Sequence, residues 1–199
     1  MILSQGAEAI IELIDNKVHK KRIVKSYRHP DIDKKIRSSR TKREIKVINK
    51  LNELNINVPM LYGCNDKYTI VMEFIDGVRL RDVLIQNTIN KIYLQQLGQW
   101  LSIMHENGII HGDLTTSNLM VDKNNKLFLI DFGLSFFSSK IEDMAVDIHL
   151  LKQAIESTHY LNVEEFYNEF LKGYFYKDSE KVLERLKVVE SRGRNVNKK

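Results

Sequence analysis

Along the first quarter of the chain, apolar positions come in short runs broken by turn residues. Ala9-Ile10-Ile11-Glu12-Leu13-Ile14 is a brief apolar segment, Asp15-Asn16 is a turn pair, and Val18-His19-Lys20 resumes an extended pattern, which predicts a β-hairpin. A basic stretch through Tyr27-Arg28-His29-Pro30 follows. From Thr41 to Leu54 the period becomes helical, with Glu44, Ile48 and Leu51 on one face and Ile45 beside it. Met60 to Gly63 reads as a weak strand, and Tyr68 to Phe74, β-branched and aromatic and closed by Asp76-Gly77, as a strong one. The remainder is mostly helical in pattern. Ile92 to Glu106 carries Tyr93, Leu97, Trp100, Leu101 and Met104 on one stripe, with Asn107-Gly108 as its stop. Leu119-Met120-Val121 and Leu127 to Ile130 flank Asp122-Lys123-Asn124-Asn125-Lys126 as a second hairpin. Glu142 to Ser157 aligns Ala145, Ile148, Leu151 and Ile155, Asn162 and Glu165 resemble a capping box opening a helix through Leu171, and Asp178 to Glu190 is a last helix facing inward through Val182, Leu186 and Val189. The expected fold class is α+β: a β-rich lobe over residues 1–75, an α-rich lobe over 76–190 and a polar, basic tail over 191–199.

Composition narrows the class. With 43% hydrophobic and 29% charged residues over 199 positions the chain is of ordinary globular make-up, and its one cysteine, Cys64, excludes an internal disulfide framework and suits a reducing cytosol. No apolar run approaches the roughly 20 residues of a membrane span, and no leader pattern is visible at Met1 to Gln5, so a cytoplasmic protein without membrane contact is expected. Charge is segregated: residues 17–50 hold 14 Lys/Arg against 3 Asp/Glu and residues 185–199 hold 6 against 1, while the middle is acidic. Two basic ends suggest a polyanionic partner.

Two segments carry chemistry. His111-Gly112-Asp113-Leu114-Thr115-Thr116-Ser117-Asn118 and Ile130-Asp131-Phe132-Gly133 match, in order, a kinase catalytic loop and the Asp-Phe-Gly motif that follows it. Phosphoryl transfer needs positioning and cancellation of charge more than covalent help. In that reading Asp113 orients the attacking hydroxyl, while Asn118 and Asp131 hold Mg²⁺ against the phosphates of ATP. A strand lysine paired with a helix glutamate is then required. Glu44, an acid on an apolar helix face, needs such a partner, because an unpaired buried carboxylate is expensive. Lys20 and Lys25 both sit in strand-like triplets, and composition alone does not separate them. Ser4-Gln5-Gly6-Ala7-Glu8-Ala9 stands where a glycine-rich loop would lie, with one glycine.

The sequence resembles the small atypical kinases of the KEOPS/EKC complex, also called the p53-related protein kinase family. Lys25-Ser26-Tyr27-Arg28-His29-Pro30-Asp31-Ile32-Asp33, Arg40-Thr41-Lys42-Arg43-Glu44, Gln5-Gly6-Ala7-Glu8-Ala9, the two motifs above and Arg192-Gly193-Arg194 carry the likeness. It implies a reduced bilobal protein-kinase-like fold, with Lys20 rather than Lys25 paired to Glu44. It further implies Ser/Thr kinase and ATPase activity in support of threonylcarbamoyladenosine formation on tRNA. The subunit that synthesises this modification would dock on the C-terminal lobe, a small subunit on the N-terminal lobe, and tRNA on the basic regions and tail. By position Gln5, Gly6 and Ala7 would approach the phosphates. Val18, Met120 and Ile130 would enclose the adenine, with Glu73 to Ile75 as the hinge, and Asp147 would brace the catalytic-loop backbone. Gly112 stands where Arg is usual and Thr115 where Lys is common, and no Ala-Pro-Glu follows, so regulation through an activation-loop phosphate and a broad peptide platform are not expected. Two other readings fit the motifs less well. A small-molecule phosphotransferase of the aminoglycoside-kinase type would need a longer C-terminal segment, and a scaffold pseudokinase would not keep all five polar residues. His105, His111, His149 and His159 lack ligand spacing and read as structural.

Overall fold

A computed structural model of the chain describes residues 1–86 and 91–196. The chain divides into two compact units, one formed by Met1–Asp76 with Phe128–Leu134, the other by Gly77–Leu127 with Ser135–Lys199. The Asp-Phe-Gly segment therefore groups with the N-terminal unit, although its sequence neighbours belong to the other.

The first unit is an antiparallel sheet of β1 (Ile2–Gln5), β2 (Ala9–Ile14), β3 (Lys17–Arg22), β4 (Leu61–Asp66) and β5 (Thr69–Glu73), ordered β1-β2-β3-β5-β4, with one long helix, α1 (Pro30–Glu53), touching β4 and β5. The hairpin between β2 and β3 turns through Asp15 and Asn16 at φ 48° and 57°, the paired left-handed conformation that these residues tolerate and that matches strand twist. Register sets Lys20 opposite both Ile11 and Ile70. Alternation on β3 sends Lys20 and Arg22 into the interior and leaves Lys17 and Lys21 in solvent. On α1 the buried positions are Asp33, Thr41, Glu44, Val47, Ile48 and Leu51, while Ile45 is only half-buried.

The helix begins eleven residues earlier than its apolar period indicates, at Pro30 rather than Thr41. Its first three turns are nearly all polar and show no stripe, but they carry the signals of a helix start. Proline occupies the first turn with Asp31 and Asp33 at its positive end. Asp33 is itself buried and held by Arg37 Nε at 2.6 Å.

The second unit is built on α3 (Ile92–Glu106), α4 (Ile141–Thr158), α5 (Val163–Gly173) and α6 (Ser179–Val196), with α3 against α5 and α4 against α6. Leu97, Leu101, Met104, Ala145, Ile148, Leu151, Ile155, Phe166, Phe170 and Val182 are fully buried or nearly so, each large one worth about 1.5–3 kcal/mol of burial. Gly98 and Gly173 let α3 and α5 meet backbone to backbone. A β-carbon on Gly98 would stand 2.2 Å from the Phe170 carbonyl oxygen, and one on Gly173 1.9 Å from that of Gln95. Short elements complete the unit: β6 (Gly77–Arg79) beside β8 (Leu119–Asp122), α2 (Leu80–Gln86), and β7 (Ile109–Ile110) paired with β10 (Phe136–Phe137). A turn after β8 leads into β9 (Leu127–Leu129).

Two further local expectations differ. Asn162 is the N-cap of α5 but makes no capping bond to the backbone; its amide reaches the Glu165 carboxylate, which Lys91 also engages. The last helix continues past Glu190 to Val196, where a polar tail was expected, and Arg192 Nη1 lies 2.7 Å from Glu142 Oε1. Residues 197–199 of that tail lie outside the described residues. Among the described residues no helix is long and apolar enough to cross a membrane.

Burial, reinforced by the nearby Arg81 charge, holds the His159 imidazole below its ordinary range. As pH falls the unfolded chain takes up this proton first, so stability is expected to decline as pH passes down through about 6.5. The melting temperature followed between about pH 7.5 and 5.5 should show this slope, and His159→Gln should flatten it.

Candidate functional site

The sequence-derived polar residues fall into two clusters, one in each unit. In the first, β3 and α1 bring a lysine and a glutamate into contact. Lys20 Nζ donates to Glu44 Oε1 at 2.5 Å and to Asp131 Oδ1 at 2.8 Å. Glu44 is 1% exposed, whereas the Asp131 side chain is 51% exposed. Burial works against the Lys20 charge, but the Glu44 and Asp131 carboxylates outweigh it and hold the ammonium above its usual pKa. Asp131 sits at φ 61°, a left-handed conformation that aspartate adopts more readily than most residues, and its Oδ1 also accepts from the Gly133 amide at 3.2 Å.

Sequence reasoning missed a second cation here. Arg22 Nη2 donates to Glu44 Oε2 at 2.5 Å, and the residue is 4% exposed. Its signal was available: two residues beyond Lys20 on one strand, Arg22 must face the same way. Lys25 is elsewhere; its ammonium reaches the carbonyl of Ala7, and its amide lies 3.3 Å from Asp33 Oδ1. Gln5, at the end of β1, and Gly6 and Ala7, in the turn that joins it to β2, are exposed, and the Gly6 amide donates to the Ala9 carbonyl at 3.0 Å. Of the residues assigned to an adenine pocket, Val18, Glu73, Met120 and Ile130 are half-buried and Ile75 is buried, Met120 standing in the second unit and the others in the first.

The second cluster is the loop His111–Asn118. Asn118 Nδ2 donates to the Asp113 carbonyl at 2.8 Å and to its Oδ2 at 3.0 Å, fixing both backbone and carboxylate. Gly112 lies at φ 78°, a conformation that strains the arginine usual at this point and suits glycine. The loop hangs from Asp147 on α4, a fully buried carboxylate. Its two oxygens accept the amides of His111 at 2.8 Å and Gly112 at 2.9 Å. His105 stands behind, its ring nitrogens 3.4 Å from Asp147 Oδ2 and 2.8 Å from the Tyr174 hydroxyl. A carboxylate only accepts, so Nε2 carries a hydrogen toward Asp147.

This pattern of a Lys–Glu pair on strand and helix, an Asp–Asn pair on a braced loop and an aspartate before Phe-Gly is that of a protein kinase. The chain matches the protein kinase domain family over residues 3–166. It is 39% identical over 210 aligned positions to a protein of Pyrococcus abyssi named KEOPS complex subunit Bud32, covering 97% of this chain and 95% of that one. The chain belongs to the Bud32 family of protein kinases. A second relative, from Archaeoglobus fulgidus, is named a probable serine/threonine-protein kinase BUD32 homolog, at 36% identity over 96% of this chain and 94% of the relative. A third, from Methanothermobacter thermautotrophicus, is named a probable bifunctional tRNA threonylcarbamoyladenosine biosynthesis protein, at 39% identity over 97% of this Bud32-family chain and 36% of the longer relative. Among solved structures, the Rio2 kinase of Chaetomium thermophilum in an ADP/Mg²⁺-phosphoaspartate complex has a TM-score of 0.60 at 18% identity, over 96% of this chain and 70% of that one. That likeness concerns the fold, which is the α+β protein-kinase-like fold read from the sequence.

Replacing Asp147 by Asn puts an amide donor where two backbone amides need acceptors. Asp147→Asn is expected to cost about 1–3 kcal/mol of stability, measured as a lowered urea midpoint with an unchanged slope.

Proposed function

We propose that this chain is an ATP- and Mg²⁺-dependent Ser/Thr phosphotransferase with ATPase activity that works within a KEOPS-type assembly in the formation of threonylcarbamoyladenosine on tRNA. The observation that carries the reading is the Lys20 ammonium held at 2.5 Å by a buried carboxylate and at 2.8 Å by an accessible one. Glu44 anchors it, and Asp131 is the partner it exchanges for phosphate oxygens.

The donor set fits the metal. An accessible Asp131 carboxylate and the Asn118 amide oxygen, left over once its nitrogen is committed to Asp113, are the hard oxygens that Mg²⁺ prefers. When bound, the ion neutralises charge on the transferring phosphoryl group. The chain's own residues do the rest. Lys20 binds the α- and β-phosphates as a point charge, and Glu44 keeps it in place. Asp113, pinned by Asn118, orients a serine, threonine or water hydroxyl and accepts its proton. Val18, Met120, Ile130 and the Glu73–Ile75 segment receive the adenine, and Gln5, Gly6 and Ala7 lie over the phosphates.

The partners follow from the family and from charge. The subunit that makes threonylcarbamoyladenosine takes the helical C-terminal unit, and a small KEOPS subunit takes the N-terminal one. tRNA is met by the basic segments 17–50 and 185–199, whose excess of Lys and Arg is +11 and +5. A cytoplasmic location is proposed with them.

Asp113→Ala is expected to lower ATP turnover by about 10³-fold or more with circular dichroism unchanged. Lys20→Ala should likewise abolish it, and Lys25→Ala should retain most of it. Radiolabelled ATP assays on the purified chain, with and without its partner, check both; equal effects at the two lysines would overturn the assignment. Binding to tRNA should weaken steeply and log-linearly with salt, which a filter-binding series reads directly.

A further inference from the structure

Lys20, Glu44 and Asp131 already account for a phosphate-handling site, yet the structure places a second, buried cation on the same carboxylate. Arg22 has a side chain only 3% exposed, donates from Nη2 to Glu44 Oε2 at 2.5 Å, and has an Nε that is buried with no hydrogen-bond partner among the described residues. A single contact, to a carboxylate that Lys20 also uses, is sparse provision for a guanidinium taken out of water. Its surroundings say where it belongs. A β-carbon added at Gly133 would stand 3.2 Å from Asp131 Oδ1, 3.4 Å from Lys20 Nζ and 3.7 Å from Arg22 Nη2. Both cations therefore abut the turn that carries Asp131, and that turn has no side chain at the point nearest them.

The charges then decide. Lys20 and Arg22 face Glu44 and Asp131, two cations against two carboxylates. Commit Asp131 to a metal ion, as the phosphotransferase reading above requires, and the remaining three groups carry one net positive charge. Without Arg22 they would carry none, and Glu44 would hold the Lys20 ammonium undivided.

We propose that Arg22 is a positioning residue for phosphate binding: it occupies the second oxygen of Glu44, so that the carboxylate stays fixed while Lys20 turns from Asp131 to a triphosphate, and it supplies the positive charge that makes this exchange favourable. The inference rests on the phosphotransferase reading and extends it from a Lys–Glu pair to an Arg–Glu–Lys triad.

The test is a calorimetric titration of the full chain with the magnesium complex of the β,γ-imido analogue of ATP, with melting temperatures recorded alongside. Arg22→Gln is expected to raise Kd about tenfold at unchanged stoichiometry and to raise KM for ATP while kcat stays within about threefold. Arg22→Lys restores the charge but not the reach of the fork, and should fall between, at about two- to fivefold above the native Kd. Lys50→Gln, an equal change of charge on the exposed end of α1, should leave Kd unchanged. A purely structural Arg22 would instead lower the melting temperature and the fraction of active molecules with Kd intact, and that result overturns the proposal. So does a loss in Lys50→Gln equal to that in Arg22→Gln. If Arg22→Gln melts below the assay temperature, Arg22→Lys decides alone, and a native Kd in that variant counts against the triad. Failure of the native chain to bind the analogue would remove the phosphotransferase reading and this proposal with it. Native binding with an unaffected Arg22→Gln removes the triad alone.

Discussion

A carboxylate inside a protein must be held by cations or by amides, and Glu44 is the carboxylate around which the first unit is arranged. It is 1% exposed on a helix face otherwise lined by Val47, Ile48 and Leu51. In such surroundings losing one partner of a buried ion pair costs about 3–5 kcal/mol. The alternation of β3 must therefore put Lys20 and Arg22, not Lys17 and Lys21, on the inward face, and one residue of slippage in the β2–β3 hairpin would reverse this. The turn at Asp15 and Asn16 fixes the register, so a surface loop at one end of the hairpin determines which lysine meets Glu44.

The second unit solves the same problem with different partners. Asp147 is as buried as Glu44, but it spends its oxygens on the amides of His111 and Gly112 and on the His105 ring. Its charge thereby orders main chain, where the charge of Glu44 orders side chains. This division suits the residues each supports. In the proposed transfer the lysine moves between partners, and a flexible stem anchored by one oxygen permits that. The loop bearing Asp113 is held instead by two amides clamped to one buried carboxylate, with Asn118 closing the far side.

Much of this was legible in the sequence, because periodicity reports burial. The Ile92–Glu106 helix, both hairpins and the α4 stripe sit where their apolar spacing puts them. What was not legible lacked an apolar signature. The first turns of α1 are mostly polar, with Ile32 and Ile36 too few to make a stripe, β1 is exposed at every residue, and β6 and α2 are too short for a period to show. Arg22 escaped notice for another reason. A charged residue in a basic stretch reads as a solvated face, although the two-residue spacing from Lys20 on one strand puts Arg22 on the same side, where the central place of β3 in the sheet keeps both buried. The capping box at Asn162 failed for a local reason: its backbone amide donates to the His159 carbonyl at 2.9 Å, and the Glu165 carboxylate is shared by the Asn162 side-chain amide and Lys91.

The contact of α3 with α5 through Gly98 and Gly173 has a consequence for inherited variation. At these two codons every missense change adds at least a β-carbon where a carbonyl oxygen already stands, within 2.2 Å of Phe170 or 1.9 Å of Gln95. The harm is thus indifferent to the chemistry of the incoming residue, alanine included. A substitution at either position would act by reducing the amount of folded chain, however distant it lies from Asp113 in the linear map.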